Sequence, residues 1–277
     1  MGENMICVYN AHSYNLVQKE STQQILAQTH YITTNTEVKV MIWCNINTFK
    51  IKKAVWEIYR TPEKIAMSSE EVPGLQGVRA YFGCGPALRE NLSGEMSELK
   101  RKLFADTITA VIQAEVYLLP ERGYTSLAAY DRYWDDMYAG ACRYYSNLER
   151  VTSKLMDYAG VDNSLSSLFV RQQHLNINQV DTDKIIVNAA LNDFFHEMAV
   201  IIEIAAGSLI IERIFAEILR SPDRVCKEAA LLVDRLKGKT LKAMTKKELI
   251  NLLGARQGCT HLIELIYNSI NDAYKLI

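Results

Sequence analysis

Neither sign of charge is in excess in this chain of 277 residues: Lys plus Arg number 31 and Asp plus Glu 32, a formal net charge of −1. A protein that neutralises duplex phosphates normally carries a basic excess, so nucleic acid is not expected as a partner. Long apolar runs are lacking too. The stretch from Met198 to Ile211 is broken by Glu203 and Gly207, too short and interrupted to span a bilayer. The N-terminal MGENMICVYN has no basic region leading into an apolar core, so no secretory signal is expected. The six cysteines, at 7, 44, 84, 142, 226 and 259, include no CxxC pair. A reduced, cytoplasmic chain is the expectation from that usage. The patterns GxxxxGK[ST], GxGxxG, HExxH and GxSxG are all absent, which removes the commonest phosphate-loop, dinucleotide, zinc-protease and serine-hydrolase signatures. What remains is ordinary globular composition, 49% apolar and 23% charged.

The chain reads as if written twice. At an offset of 160, EIYRTPEKI (Glu57 to Ile65) lies on EILRSPDRV (Glu217 to Val225), and the run 37–56 lies on 197–216 with the same apolar alternation. With one further residue inserted, LQG at 75–77 meets LKG at 236–238, and Gly83-Cys84 is matched with Gly258-Cys259 if the first copy has lost about fourteen residues. In the second copy, Lys184 to Leu191, Glu197 to Ile204 and Leu209 to Leu219 read as three antiparallel strands. Ser221-Pro222-Asp223 reads as a helix start with Ser221 as cap, Thr245 caps a short helix, and a last helix begins near Gly258. The first copy repeats the strands at about 25–33, 37–46 and 49–59 with an abbreviated helical part. The expected fold is therefore α+β: a tandem duplication of a three-stranded meander followed by helices, the copies related by a pseudo-twofold. Expected boundaries are 1–94 for a degenerate first repeat, 95–163 for a helical connector and 164–277 for the complete second repeat. The connector is rich in tyrosine (Tyr130, Tyr133, Tyr138, Tyr144, Tyr145) beside Trp134. Such aromatics line a ligand cavity or, more commonly, glue two sheets together.

Chemistry-bearing residues gather in the second copy. His196, Cys226, Cys259 and His261 offer imidazole and thiolate from separate elements, the ingredients of a soft-metal site. Asp193, Glu197 and Arg220 stand beside them as supporting groups. Cys259 follows Gly258 at a helix start, where unpaired N–H groups favour a thiolate. At the offset of 160, Asp193 meets Thr33, His196 meets Thr36 and Cys226 meets Ala66, so the first copy lacks the set. Set against this, a buried free cysteine is usually a small hydrophobe.

The run HEMAVIIEI, ILRSPDRVC, LKGKTL and LLGARQGCTHLIEL resembles the bacterial domain-of-unknown-function family numbered 2889. The residues that carry the resemblance are His196, Glu197, Met198, Arg220, Pro222, Cys226, Gly258, Cys259, Thr260, His261 and Leu262, over about 169–277. That family brings no established activity. A looser similarity is to iron–sulfur scaffold proteins of the NifU/IscU type, carried by Leu236-Lys237-Gly238-Lys239-Thr240 and Cys259-Thr260-His261-Leu262. It implies a related order of strands and helices, with the cluster cysteines of those scaffolds replaced here by Phe194 or His196 and by Ser221 or Pro222.

Three functions follow. The first is a non-enzymatic metal- or sulfur-handling protein, holding zinc, iron or an iron–sulfur group on His196, Cys226, Cys259 and His261. The second is a thiol-dependent enzyme with Cys259 as nucleophile, His196 or His261 as base and Arg220 holding an anionic substrate. The third is a module binding a protein partner or a small apolar ligand between the repeats.

Overall fold

In the computed structural model, residues 4–159, 166–242 and 244–276 are described. The strands are β1 (Met5–Ser21), β2 (Gln24–Thr33), β3 (Glu37–Asn45), β4 (Ile51–Arg60), β5 (Ile65–Glu71), β6 (Ser167–Val180), β7 (Lys184–Asp193), β8 (Glu197–Ala205) and β9 (Ile210–Arg220). The helices are α1 (Gly85–Asn91), α2 (Ser97–Ala114), α3 (Leu127–Met137), α4 (Leu155–Ala159), α5 (Lys246–Leu252) and α6 (Thr260–Leu276), with a long 3₁₀ segment over Arg224–Leu236. In place of two three-stranded sheets there is one nine-stranded antiparallel sheet, ordered β5-β4-β3-β2-β1-β6-β7-β8-β9. The α+β class is as expected. The anticipated boundary at 163/164 falls outside the described residues. None of the described helices is long and apolar enough to cross a membrane.

The chain divides into two compact units, one of His12–Tyr130 with Gly160–Gln172, the other of Met1–Ala11, Asp131–Ala159 and Gln173–Ile277. In the first, β2, β3 and β4 form the expected meander. Alternation puts Val38, Val40, Ile42 and Cys44 of β3 into the core and leaves Lys39, Met41 and Trp43 partly open on the other face. Helix α2 packs on β2 and β3, burying Leu103, Phe104, Ile108 and Val111. Each such side chain contributes on the order of 1.5–3 kcal/mol relative to exposure. A buried polar line crosses this core: the Asn15 amide donates to Thr29 Oγ1 at 2.6 Å, and Thr29 Oγ1 lies 2.6 Å from Thr107 Oγ1.

In the second unit, β7, β8 and β9 form a meander of the same kind, with Met198, Val200, Ile202 and Ile204 buried. Helix α6 packs on β7 and β8 through Leu262, Leu265, Ile266 and Ile270, the face expected from its spacing. The segment after β9 corrects the expected start at Ser221. The carboxylate of Asp223 is the cap, accepting the Val225 amide at 2.8 Å, and a 3₁₀ segment follows rather than an α-helix. Ser221 instead donates its hydroxyl to the Asp223 carbonyl. Thr245 and Glu248 close a capping box on α5, as anticipated for Thr245.

The two meanders share local geometry residue for residue at an offset of 160. Register shifts fall at Glu37/Val38 and Trp43/Cys44 between β3 and β4, and at Glu197/Met198 and Glu203/Ile204 between β8 and β9. Phe49 and Leu209 both take left-handed backbone, with φ of 56° and 58°. Each closes its turn by donating its amide four residues back, to Asn45 and to Ala205, at 2.8 Å. Further along, Thr107 Oγ1 donates to the Leu103 carbonyl within α2, as Ser269 Oγ donates to Leu265 within α6. Helices α2 and α6 thus each cover a meander and carry a buried hydroxyl bonded one turn back; α2 lies within the span expected for the connector. Gly83-Cys84 precedes the short α1, whereas Gly258-Cys259 precedes α6, which packs on β7 and β8.

Candidate metal centre

The turn between β7 and β8 is built on Asp193. Its Oδ1 accepts the amides of Phe195 at 2.8 Å and His196 at 2.7 Å, and its own amide donates to the His196 carbonyl at 2.8 Å. Such a side-chain-closed turn is a frequent use of Asp. Arg220, at the end of β9, clamps it from outside, donating to the Phe194 carbonyl at 2.8 Å, the Asn192 side chain at 2.6 Å and the His196 carbonyl at 3.3 Å. Arg60 likewise donates to the Thr34 and Thr33 carbonyls of the β2–β3 turn, Thr34 standing where Phe194 does at the offset of 160. A guanidinium that binds carbonyls of the adjoining turn in both halves acts as a structural clamp. It leaves Arg220 engaged with the turn, a different placement from the anion-holding role expected of it.

His196 leads into β8 and His261 is the second residue of α6, and the two rings come face to face. Their centroids are 4.1 Å apart with planes tilted by 34°. His196 Nδ1 lies 3.4 Å from Asp193 Oδ1. One ligand atom each from Asp193, His196 and His261 lies within 4.8 Å of the others, and Asp193 is buried. The Nδ1 atom of His196 is itself shut away from solvent with no hydrogen-bond partner. A buried polar atom without a hydrogen bond carries a desolvation cost of about 1–3 kcal/mol, and each such atom calls for a physical reason.

The structure thus brings together two of the four expected ligands, and with them a residue read as supporting. The cysteines lie elsewhere. Cys226 packs in an apolar cluster with Tyr144 and Val225, against Cys142, Tyr145, Leu148 and Val151, and burial pushes its thiol up to about 12. Cys259 is buried at the entry to α6, and burial raises its thiol to about 11, outweighing the backbone N–H groups of Leu262 and His261 that pull the other way. The expected thiolate at Cys259 is therefore corrected. The helix start does what was anticipated, but desolvation is the larger effect. Glu197 sits 3.8 Å from Arg220 and outside the Asp–His–His group. The aromatic side chains of the connector stack on one another, Trp134–Tyr138 at 4.7 Å and Tyr138–Tyr145 at 5.3 Å between centroids, and Tyr144 seals the Cys226 cluster.

Two imidazoles and one carboxylate are a set suited to a divalent transition metal, with coordination positions left for solvent or substrate. Asp193 was visible in the sequence as the first residue of an Asp-x-x-His turn at a strand end, but nothing in that spacing separated a ligand from a turn cap.

Residues 170–275 match the family described as "Protein of unknown function (DUF2889)", a span that contains Asp193, His196 and His261. No curated protein and no solved structure matches the chain, and the likeness to NifU/IscU scaffolds gains no support.

Proposed function

We propose that the second half of this chain binds a divalent transition metal, zinc or iron(II), on Asp193, His196 and His261. The observation that carries the reading is the buried, hydrogen-bond-free Nδ1 of His196, 3.4 Å from a buried carboxylate oxygen and stacked on a second imidazole. A metal ion gives that lone pair a partner and offsets the carboxylate's charge in a site shielded from water. Three protein ligands leave positions for an exchangeable fourth, the arrangement of metal centres that act on or carry something, as opposed to closed structural sites. The cysteines of the original expectation drop out of the ligand set, and with them the grounds for an iron–sulfur group.

The reading also rests on an internal duplication, which the shared registers, left-handed turn residues and helix contacts support. Along the strands (offset 160) Thr33 and Thr36 occupy the places of Asp193 and His196, and along the helices (offset 162, from Thr107 to Ser269) Leu99 occupies that of His261. The fold closes in the first half without them, so the group is not there to make the fold. The first half serves as a structural partner.

Elemental analysis of protein purified without oxygen or chelator tests this. One zinc or iron per chain is expected, lost in His196→Ala and in His261→Ala and retained in Cys259→Ala. Failure of the wild-type protein to take up either metal on titration, or loss of the metal in Cys259→Ala, would overturn it.

A further inference from the structure

A cavity of about 360 Å³ opens beside the start of α6, lined by Ala141, Lys246, Ile250, Ala255, Arg256, Thr260, Ile263 and Glu264. That volume suits a small molecule. Its walls are largely hydrocarbon, from Ile250, Ile263 and two alanines, and its charges are unequal. Lys246 has a counter-ion, Glu264, 3.8 Å away. Arg256 has none: among the described residues no carboxylate pairs with its guanidinium.

Arg256 is nonetheless held. Its carbonyl accepts the Ser146 hydroxyl at 2.8 Å. Its stem lies against Gly140 so closely that a Cβ there would come within 3.3 Å of Cδ and 3.5 Å of Nε and Nη1. Gly140 has φ of +71°, the left-handed region where glycine is favoured, and its amide donates to the Tyr145 carbonyl at 3.1 Å. The 138–145 turn is thereby folded tightly enough to bring Ala141 to the cavity wall and to lay backbone under the arginine stem.

A positioned guanidinium without a counter-ion, above an apolar floor, matches one ligand chemistry. We propose that this cavity binds a small organic carboxylate, its hydrocarbon body against Ile250 and Ile263 and its carboxylate on Arg256. Arginine presents a planar fork that meets a carboxylate with two parallel bonds, whereas the apolar walls offer nothing to a fully hydrated inorganic anion. This site is independent of the metal reading, since none of Asp193, His196 and His261 lines it.

The test is titration of the full chain with hexanoate, followed by heteronuclear NMR, with hexanol, inorganic phosphate and a chelator as controls. Saturable binding of hexanoate is expected, with shifts at Ala141, Ile250, Ala255 and Ile263, unchanged when chelator is present. Arg256→Met, a change at an exposed side chain, should weaken it about tenfold or more, the scale of a lost charged hydrogen bond. Binding that vanishes with chelator would put the carboxylate on a metal and overturn the pocket. So would equal affinity for hexanol, equal affinity for phosphate, an unchanged Arg256→Met, or no saturable binding.

Discussion

Asp193 and Thr33 close the same turn in the two halves of the sheet. Asp193 Oδ1 accepts the amide of His196 at 2.7 Å, and Thr33 Oγ1 accepts the amide of Thr36 at 2.9 Å. Each turn is also closed by the backbone, from Asp193 to His196 at 2.8 Å and from Thr33 to Thr36 at 2.7 Å. The turn needs one side-chain acceptor, and a hydroxyl suffices. A carboxylate in the second half, buried beside two imidazoles, brings a charge for which the turn has no use.

Asp193→Thr should therefore separate the two roles. The variant is expected to fold, with stability within about 1 kcal/mol of the parent, because a hydroxyl there accepts the same two amides, as Thr33 Oγ1 accepts those of Asn35 and Thr36. It should lose zinc or iron uptake. Thermal melting beside metal titration reads both. If the variant unfolds while the Thr33 half stands, the carboxylate is a structural necessity and the metal reading loses its main support.

The thiols give a second expectation, in the alkaline range. Burial raises Cys226 to about 12 and Cys259 to about 11 from the ordinary 9.0. A raised value means that the folded state keeps its proton after the unfolded chain has lost it. The stability this represents is fully present below about pH 9 and is lost as pH rises through 11 and 12. Denaturation midpoints should fall from pH 9 upward, and less steeply in a Cys226→Ala, Cys259→Ala double variant. Iodoacetamide at pH 8 should modify the exposed Cys7 first, since only about one Cys259 thiol in a thousand is ionised there. Fast labelling of Cys259 in the native protein would contradict the burial and revive the nucleophile.

Much of the fold was legible, and what was hidden has physical reasons. The β2–β4 and β7–β9 meanders alternate apolar and polar residues because one face packs under a helix. Strand β1 did not declare itself, because its buried positions include Ser13 and Asn15; β6 hides behind buried Arg171 and Asn178. Strand β5 is exposed along nearly its whole length, so no alternation marks it. Among site residues, His196 and His261 stood out as imidazoles in separate motifs. Cys259 misled, because sequence shows a helix start and hides how deeply the thiol is buried. Arg220 misled in another way: its guanidinium binds turn carbonyls, a use that sequence spacing does not distinguish from holding an anion.

A third expectation concerns the first unit, where the β3–β4 turn is anchored by a buried ion pair. Glu115, fully shut off from solvent, accepts Arg122 Nε at 2.8 Å and the Tyr81 hydroxyl at 2.6 Å. Arg122 also donates to the Asn47 carbonyl in the turn and lies over the Phe49 ring, 4.1 Å from its centroid. Glu115→Ala strips the counter-ion from a guanidinium that is itself nearly buried, so a loss of about 3–5 kcal/mol is expected in urea denaturation. Tyr81→Phe removes one hydrogen bond to a charged group and should cost about 1.5–3 kcal/mol. Equal small losses in both would mean that water reaches the pair.

The last expectation concerns acid. Asp223 is buried, and burial alone would lift its carboxyl. The amides of Val225, Thr152 and Ser153 and the Thr152 hydroxyl, all within 3.1 Å of its two oxygens, overcome that and hold it below the usual carboxylate range. A lowered value means that the unfolded chain takes up a proton first as pH falls. The stability is present above about pH 4 and is lost as pH drops through the folded value. These bonds tie the Thr152–Ser153 segment to the start of the 3₁₀ segment that carries Cys226, so their loss should loosen that cluster before the sheet. Asp223→Asn keeps one acceptor and no charge. It should be about 1–3 kcal/mol less stable than the parent at pH 7, with a flatter decline between pH 4 and 2. Protection from hydrogen exchange, relative to the intrinsic rate at the same pH, should fall at the Thr152 and Ser153 amides in the variant at pH 7, and in the parent only on acidification. A variant that matches the parent in slope would place the acid sensitivity on another carboxylate.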